Sequence, residues 1–365
     1  MTSLFSILPR YMSRNFLWNF LFLLSLLLFV VLVFDSVELL KRSNRYDLPL
    51  TTVFKMALFK LPEVGQIILP FAILFSAMYT FWRLNRTSEL AVMRSIGLSA
   101  MQFTFPILIT AFGLGILAVT VINPISSVLL RNYEKMENKN FGHGESPISI
   151  SKSGLWLRQN HEDGEFSLLN AARLNPENWQ IEDIILLEFN EDHDLLRRIQ
   201  ADKGYLKQGY WLLNDTKVFK NQPLSEQTDS LKIQTELTPQ DIIDTFSSIE
   251  NISFWKIPEF INTLRATGFS TTRMEVYYQS LIARPFFFAA MVLLAAAVSL
   301  RPSRQGGIIP LIIIGVMVGF ILFFSNSLLQ ALGISQNIPV FLAAWTPTIV
   351  SILLGGSVIL QQEDG

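Results

Sequence analysis

Six long apolar segments run through this 365-residue chain, and they decide the solvent into which most of it folds. A helix needs about 20 apolar residues to cross about 30 Å of hydrocarbon, because each residue rises about 1.5 Å. Residues 16–34, 64–82, 98–122, 280–300, 306–329 and 338–360 meet that requirement. Arg284 and Pro285 interrupt the fourth near one end. Pro70 and Pro106 lie inside the second and third, where a missing N–H kinks a helix, and Pro310 lies near the start of the fifth. Charged residues make up 16% of the chain, against about 25% in a soluble domain. The deficit is uneven: residues 132–272 are polar and charge-rich, and the flanks are nearly free of charge. The flanks are therefore expected in lipid and the middle in water. An even number of spans puts both termini on one side. The first apolar segment is too long for a cleavable signal peptide, and no small-residue cleavage pattern follows it before Asp35 and Glu38.

Orientation follows the basic residues of short loops, which are enriched on the cytoplasmic side. Arg10, Arg14, Arg83, Arg86, Arg94, Arg301 and Arg304 fall on one side, and Lys41, Arg42, Arg45, Lys55 and Lys60 on the other. The larger group leans towards a cytoplasmic N-terminus. Lys41, Arg42 and Arg45 run against that bias unless they have another purpose, such as meeting an anionic headgroup. The formal net charge of −1 argues against a nucleic-acid partner. With no cysteine in the chain, disulfides and thiolate metal sites are excluded.

Between the third and fourth spans the periodicity changes to short strand-like runs, for example at 155–158, 166–171, 181–189, 210–213 and 231–237. In the last, Leu231, Ile233, Thr235 and Leu237 share one face, and Lys232, Gln234 and Glu236 the other. Turn signals such as Asp163-Gly164, Asn175-Pro176, Gln208-Gly209, Asn214-Asp215 and Gln222-Pro223 separate the runs. This pattern predicts an all-β insert, a sandwich or open jelly roll, over residues 132–252. It follows residues 1–131, which hold the first three spans, and precedes residues 253–365, which hold a connecting helix and the last three. Ser253 can cap that helix, Ile257, Phe260, Ile261 and Leu264 form its apolar face, and Gly268 can end it. Thr272-x-x-Glu275 reads as a capping box opening the fourth span. A helix over 273–300 would be about 42 Å long, enough to project beyond the hydrocarbon towards the insert.

The chemistry-bearing motifs are mostly missing. No G-x-x-x-x-G-K-[ST] loop is present for nucleotide. The three histidines, His143, His161 and His193, lie in the insert, and each reads as a residue of a polar loop. His161-Glu162 lacks the second histidine of a zinc-protease motif, and Ser146 lacks the closing glycine of a nucleophile elbow.

The loop after the second span, about 85–97, is richer. Asn85 can cap a helix and Gly97 can end it, and Arg86, Glu89, Leu90, Met93 and Gly97 fall at i, i+3, i+4, i+7 and i+11. A carboxylate and a basic residue beside an apolar strip suit docking into a groove on a soluble partner. A short amphipathic helix lying on the headgroups fits the same spacing. Lys41-Arg42 at the end of the first span has two readings as well, snorkelling that fixes helix depth or recognition of lipid phosphates. Arg284 should face a cavity, a partner or the interface, and its place near one end favours the interface.

Four blocks in order resemble a known family. Leu61-Pro62-Glu63-Val64 with Ile68-Leu69-Pro70 is similar to its second-helix signature, and Ser88-Glu89-Leu90-Ala91-Val92-Met93-Arg94 with Gly97 to its cytoplasmic coupling helix. Ser149-Ile150-Ser151-Lys152-Ser153-Gly154-Leu155-Trp156-Leu157-Arg158 is similar to the opening of its β-domain. Phe260-Ile261 through Leu264, then Thr267-Gly268-Phe269-Ser270 and Arg273, is similar to the approach to its fourth helix. The family is the lipopolysaccharide-export permeases of the LptF/LptG type, and the third and fourth blocks favour its LptG branch. The resemblance spans essentially the whole chain. It implies a helical inner-membrane protein of six spans with an inserted, jelly-roll-like periplasmic β-domain. It implies an LptF-type paralogue as partner, an LptB-type ATPase in the cytoplasm and an LptC-type periplasmic bridge protein. The substrate would be lipopolysaccharide, drawn from the inner membrane and passed towards the outer membrane. No cofactor is implied on this chain, since ATP and magnesium would sit on the partner ATPase. Arg86, Glu89, Leu90, Met93 and Arg94 would be the coupling residues, with Glu89 pairing an arginine of the ATPase. Lys41 and Arg42 match basic positions expected near lipid A phosphates. The chain departs at Asp35, where relatives can carry lysine; an acid there repels phosphate, so Arg45 is a further candidate.

Other readings stay open on sequence alone. An ABC permease for lipoproteins or peptides usually places its soluble domain after the first span, which disfavours it. A membrane-anchored envelope scaffold would bind partners through the β-domain and would need no Glu89 helix. A membrane enzyme would need a catalytic constellation that is not seen.

Overall fold

The computed structural model describes residues 4–43, 48–141, 148–151, 154–160, 165–175, 178–220, 224–235, 249–300 and 308–364. The chain divides into two compact units. One holds Met1–Met136, Glu250–Trp255 and Thr272–Gly365; the other holds Glu137–Ile249 and Lys256–Thr271.

The first unit is helical. α1 is Leu4–Ser43, α2 Leu50–Arg86, α3 Glu89–Ser95 and α4 Ala100–Leu117. A π-helical turn, Ala118–Ile122, joins α4 to α5, Asn123–Phe141. Beyond the β-sheet come α7, Thr272–Ser299, α8, Ile308–Ile334, and α9, Val340–Asp364. Among the described residues, six stretches are long and apolar enough to span a membrane, in the order expected, with α4, the π turn and α5 forming one of them. The helices run unbroken through Pro70 and Pro106. The irregular stretch of the third span is instead the π turn, and its cause is Pro124. Proline lacks the N–H that would bond the carbonyl of Thr120, so the ladder widens there and the Asn123 N–H bonds Ala118.

At the centre of the bundle stands α7. Ala283, Ala289, Ala290, Ala295, Ala296 and Ala297 are all buried along it. Small side chains let neighbouring backbones close in, which is how helices associate when lipid is as apolar as leucine. On α4, a Cβ at Gly115 would lie 2.4 Å from the Pro285 Cα; on α9, a Cβ at Gly355 would lie 2.7 Å from the Leu293 Cβ.

Among its described residues, the second unit holds an antiparallel seven-stranded sheet in sequential order. Its strands are β1 Ile148–Ser151, β2 Gly154–Asn160, β3 Phe166–Asn175, β4 Gln180–Phe189, β5 Leu195–Lys207, β6 Tyr210–Phe219 and β7 Leu224–Gln234. One face is buried, by Leu157, Leu169, Leu186, Ile199, Trp211 and Leu213 among others. Gln159, near the end of β2, donates to the hydroxyl of Thr235 just past β7. The sheet therefore curls over its own apolar face, as an open jelly roll does.

The alternation changes phase within the strands. Buried Leu169 and Ala171 are followed by Leu174, Ile181 by Ile184, and Leu213 by Thr216. Asp183 and Asp215, with φ of 52° and 54°, sit at two of these shifts. The register skips Asp183 between Glu182↔Lys203 and Ile184↔Ala201, Asp202 and Asp215 between Gln200↔Lys217 and Lys203↔Asn214, and Asp229 between Asn214↔Ser230 and Thr216↔Thr228, so the phase change crosses the sheet as a crease in the pairing. This is why the runs read from sequence stop at 171 and 213 while the strands continue to Asn175 and Phe219. β5 escaped the sequence reading for the same reason. Its Arg197 is held by Glu188 of β4, and that hydrogen bond keeps the guanidinium above its ordinary pKa.

The connecting helix, α6, Ile257–Ala266, belongs to the sheet unit. Its N-cap is Lys256 and not Ser253, because a 3-10 turn over Phe254–Lys256 precedes it and Pro258 occupies its first turn. Gly268 ends it at φ +84°, with Phe269 N–H bonding Leu264 and Gly268 N–H bonding Arg265, the double bond pattern of a glycine stop. A Cβ there would also lie 2.6 Å from the Leu174 carbonyl. Leu237 of the last predicted run lies outside the described residues.

Candidate coupling and headgroup sites

α2 continues through Asn85 and Arg86, so Asn85 does not cap the loop helix. The chain breaks at Thr87 and at Ser88, which takes φ 62°, and α3 starts at Glu89. Arg86 therefore belongs to α2, not to the α3 face that the spacing suggested. Its guanidinium lies over Trp82, 5.3 Å from the ring centre. Gly97, at φ +84°, ends α3 as expected: Gly97 N–H bonds Arg94 and Leu98 N–H bonds Met93.

Glu89 opens α3, where a carboxylate meets the positive end of the helix dipole. Both its oxygens are engaged: the Tyr11 hydroxyl of α1 donates to Oε2 at 2.9 Å, and the Thr87 hydroxyl donates to Oε1 at 2.9 Å. Leu90 and Met93 turn inward and join the core of the helical unit. Arg94 is exposed. The apolar residues that α3 leaves uncovered are Val92 and Ile96, 61% and 68% exposed. Sequence reasoning missed them. Glu89, Val92 and Ile96 are spaced i, i+3 and i+7, so the spacing fitted them as well as Leu90 and Met93, and packing made the choice.

Lys41 and Arg42 occupy the last turn of α1, where cations complement the carbonyl end of the helix, and both are exposed. Arg45 lies outside the described residues. Asp35 is half-buried, and its Oδ2 is buried without a hydrogen-bond partner.

Arg284 does not face the interface. Its Nη1 donates to Oε1 of Gln66 on α2 at 2.9 Å, because that amide oxygen gives the cation an acceptor inside the bundle. The same oxygen accepts from Asn123 Nδ2 at 3.3 Å, and Asn123 Nδ2 also donates to the Tyr277 hydroxyl at 3.2 Å. His193 sits in a surface turn against Phe166, as a loop histidine would. His143, His161 and Ser146 lie outside the described residues.

A family model described as "Lipopolysaccharide export system permease LptF/LptG" matches residues 10–361. The permease protein LptG of Haemophilus influenzae is 23% identical over 98% of this chain and 99% of its own length. LptG of Escherichia coli K12 is 22% identical, again over 98% and 99%. LptF of the same strain is 21% identical over 95% of this chain and 93% of its own length. A match of that extent, on a chain whose six spans enclose a curled antiparallel sheet between the third and the fourth, makes this a multi-pass inner-membrane protein of the lipopolysaccharide export permease family LptF/LptG.

Proposed function

We propose that this chain is the LptG-side permease subunit of an ATP-driven exporter that extracts lipopolysaccharide from the inner membrane and passes it to a periplasmic bridge of β-folds. The observation that carries this reading is the family match over residues 10–361. An LptF-type paralogue completes the membrane portion, and an LptC-type protein receives the lipid from the β-domain. An LptB-type ATPase binds ATP and magnesium and hydrolyses the nucleotide, so this chain holds no cofactor. Support for that division comes from the missing phosphate-binding loop. The arginine bias supports cytoplasmic termini and a periplasmic insert.

The ATPase docks on α3. Glu89, Arg86 and Arg94 supply charge, Val92 and Ile96 fill the groove, and Leu90 and Met93 anchor the helix to the bundle. Lys41 and Arg42, with Arg45, meet the phosphates of the headgroup at the other end of α1. The test is co-isolation of the tagged chain with a P-loop ATPase and a paralogue, repeated with Glu89→Ala. The variant should lose most of the associated ATPase or its stimulated turnover while the chain stays folded. Undiminished co-isolation and turnover would remove the docking assignment, and co-isolation of neither partner with the parent chain would overturn the exporter reading.

A further inference from the structure

The helical unit includes six residues, Glu250–Trp255, whose neighbours in sequence on both sides belong to the sheet unit. Within the helical unit this strap is held at three points. Asn251 Nδ2 lies 2.5 Å from the Glu134 carboxylate of α5. The Phe254 N–H donates to Asn123 Oδ1 at 2.9 Å, and the Phe254 ring stacks on Tyr278 of α7 at 5.5 Å. The Trp255 indole N–H donates to the Thr120 carbonyl at 3.2 Å.

The third contact explains the π turn from the other side. Pro124 leaves the Thr120 carbonyl without its helical donor, and the indole of Trp255 supplies one. Asn123, 1% exposed, is the common point. Its amide donates to Gln66 of α2 and Tyr277 of α7 and accepts from the strap, while Gln66 also holds Arg284. A buried amide with three bonds to three different elements has one geometry that satisfies it, and moving any one element leaves a buried polar group unpaired. The second, third and fourth spans therefore share one keeper with the strap.

We infer that Glu250–Trp255 is a latch and Asn123 its keeper, a positioning residue through which rearrangement of the second, third and fourth spans is passed along the chain into the β-domain during export. The inference rests on the export reading. None of these residues contacts nucleotide or touches the α3 docking face, so loosening the latch separates lipid movement from ATP hydrolysis.

The test uses the full complex in proteoliposomes loaded with lipopolysaccharide, with lipid extraction and ATP hydrolysis measured together. Asn123→Ala removes the keeper. Trp255→Phe, at a residue 64% exposed, removes only the indole donor and spares the core. Lipid extracted per ATP should fall about tenfold in Asn123→Ala, the scale of one lost buried hydrogen-bonding group, and less in Trp255→Phe. Glu134→Cys with Asn251→Cys then builds a reversible clasp in a chain without cysteines. Oxidising that clasp in the Asn123→Ala background should restore the ratio, and reduction should abolish the rescue; a merely structural defect would not respond. An unchanged ratio in both single variants, or no rescue by the oxidised clasp, overturns the latch. Failure of the parent complex to extract lipid overturns the export reading instead. The latch is then judged by maleimide labelling at Ile252→Cys, which Asn123→Ala should speed about tenfold. An unchanged labelling rate overturns it.

Discussion

The first and fourth spans are both long apolar helices, and they meet opposite surroundings. The apolar stretch of α1 has mean hydropathy 2.8 and is 6% buried, whereas that of α7 has 2.2 and is 67% buried. The more apolar helix is the more exposed one. Hydropathy measures the preference for hydrocarbon over water, and lipid satisfies it as well as protein does. Small side chains let other helices close in: alanines line α7, whereas Phe22, Phe29, Phe34 and Val37 stand out from α1. Between Phe20 and Leu39 no residue of α1 is fully buried. Side-chain hydrogen bonds in its first half tie it to the bundle: Tyr11 reaches Glu89, Ser13 bonds the Pro106 carbonyl at 3.2 Å and Asn19 bonds Thr80 at 2.8 Å. The other half ends in Lys41 and Arg42. α1 is thus tied to the bundle by side-chain hydrogen bonds at Tyr11, Ser13 and Asn19 and half-buried to exposed between Phe20 and Leu39, while most of the apolar stretch of α7 is buried.

The sharpest way to break this contrast is Gly115→Val on the α4–α7 contact. The new Cβ would meet the Pro285 Cα at 2.4 Å, and backbone cannot move aside as a flexible side chain can. Overpacking of that kind costs about 3 kcal/mol or more. The thermal-unfolding midpoint and monodisperse yield in detergent should both collapse; parent-like values would mean that α4 and α7 do not approach so closely.

Next in size is Lys41→Gln combined with Arg42→Gln. Each cation contributes about 1 kcal/mol of attraction to an anionic surface, so the pair should weaken lipopolysaccharide binding clearly more than either single change. Photocrosslinking from positions 41 and 42 in the assembled complex reads this directly. Normal lipid binding with reduced membrane insertion would assign the pair to helix depth alone.

The smallest effect is expected from Phe29→Ala in α1, at a side chain 63% exposed within this chain. Stability of the isolated chain should change by less than about 0.5 kcal/mol, as for surface substitutions generally. If the same change weakens the complex with the paralogue, the exposed side of α1 is covered by protein there and not by lipid.

Much of the architecture could be read from residues alone, because the signals are local. Twenty apolar residues in a row fix a span wherever the helix later packs, and Gly97 and Gly268 stop helices because the left-handed conformation strains any residue with a Cβ. Glu89 could be named for its position at a helix start beside a second span, and Lys41-Arg42 for lying at the end of another. The β insert announced itself by alternation, up to the crease.

Tertiary structure decided the rest, for reasons that involve partners distant in sequence. α3 has apolar residues on both sides, and only packing chose Leu90 and Met93 for the core and left Val92 and Ile96 outside. Glu89 is engaged by Tyr11, 78 positions away, and Arg284 finds Gln66, 218 positions away, which no periodicity encodes. The strand phase shifts at Asp183 and Asp215 take positive φ at non-glycine residues and line up across neighbouring strands, which alternation along one strand does not encode. Pro124 could be seen in the sequence, but the carbonyl it frees acquires a meaning only when Trp255 arrives to bond it.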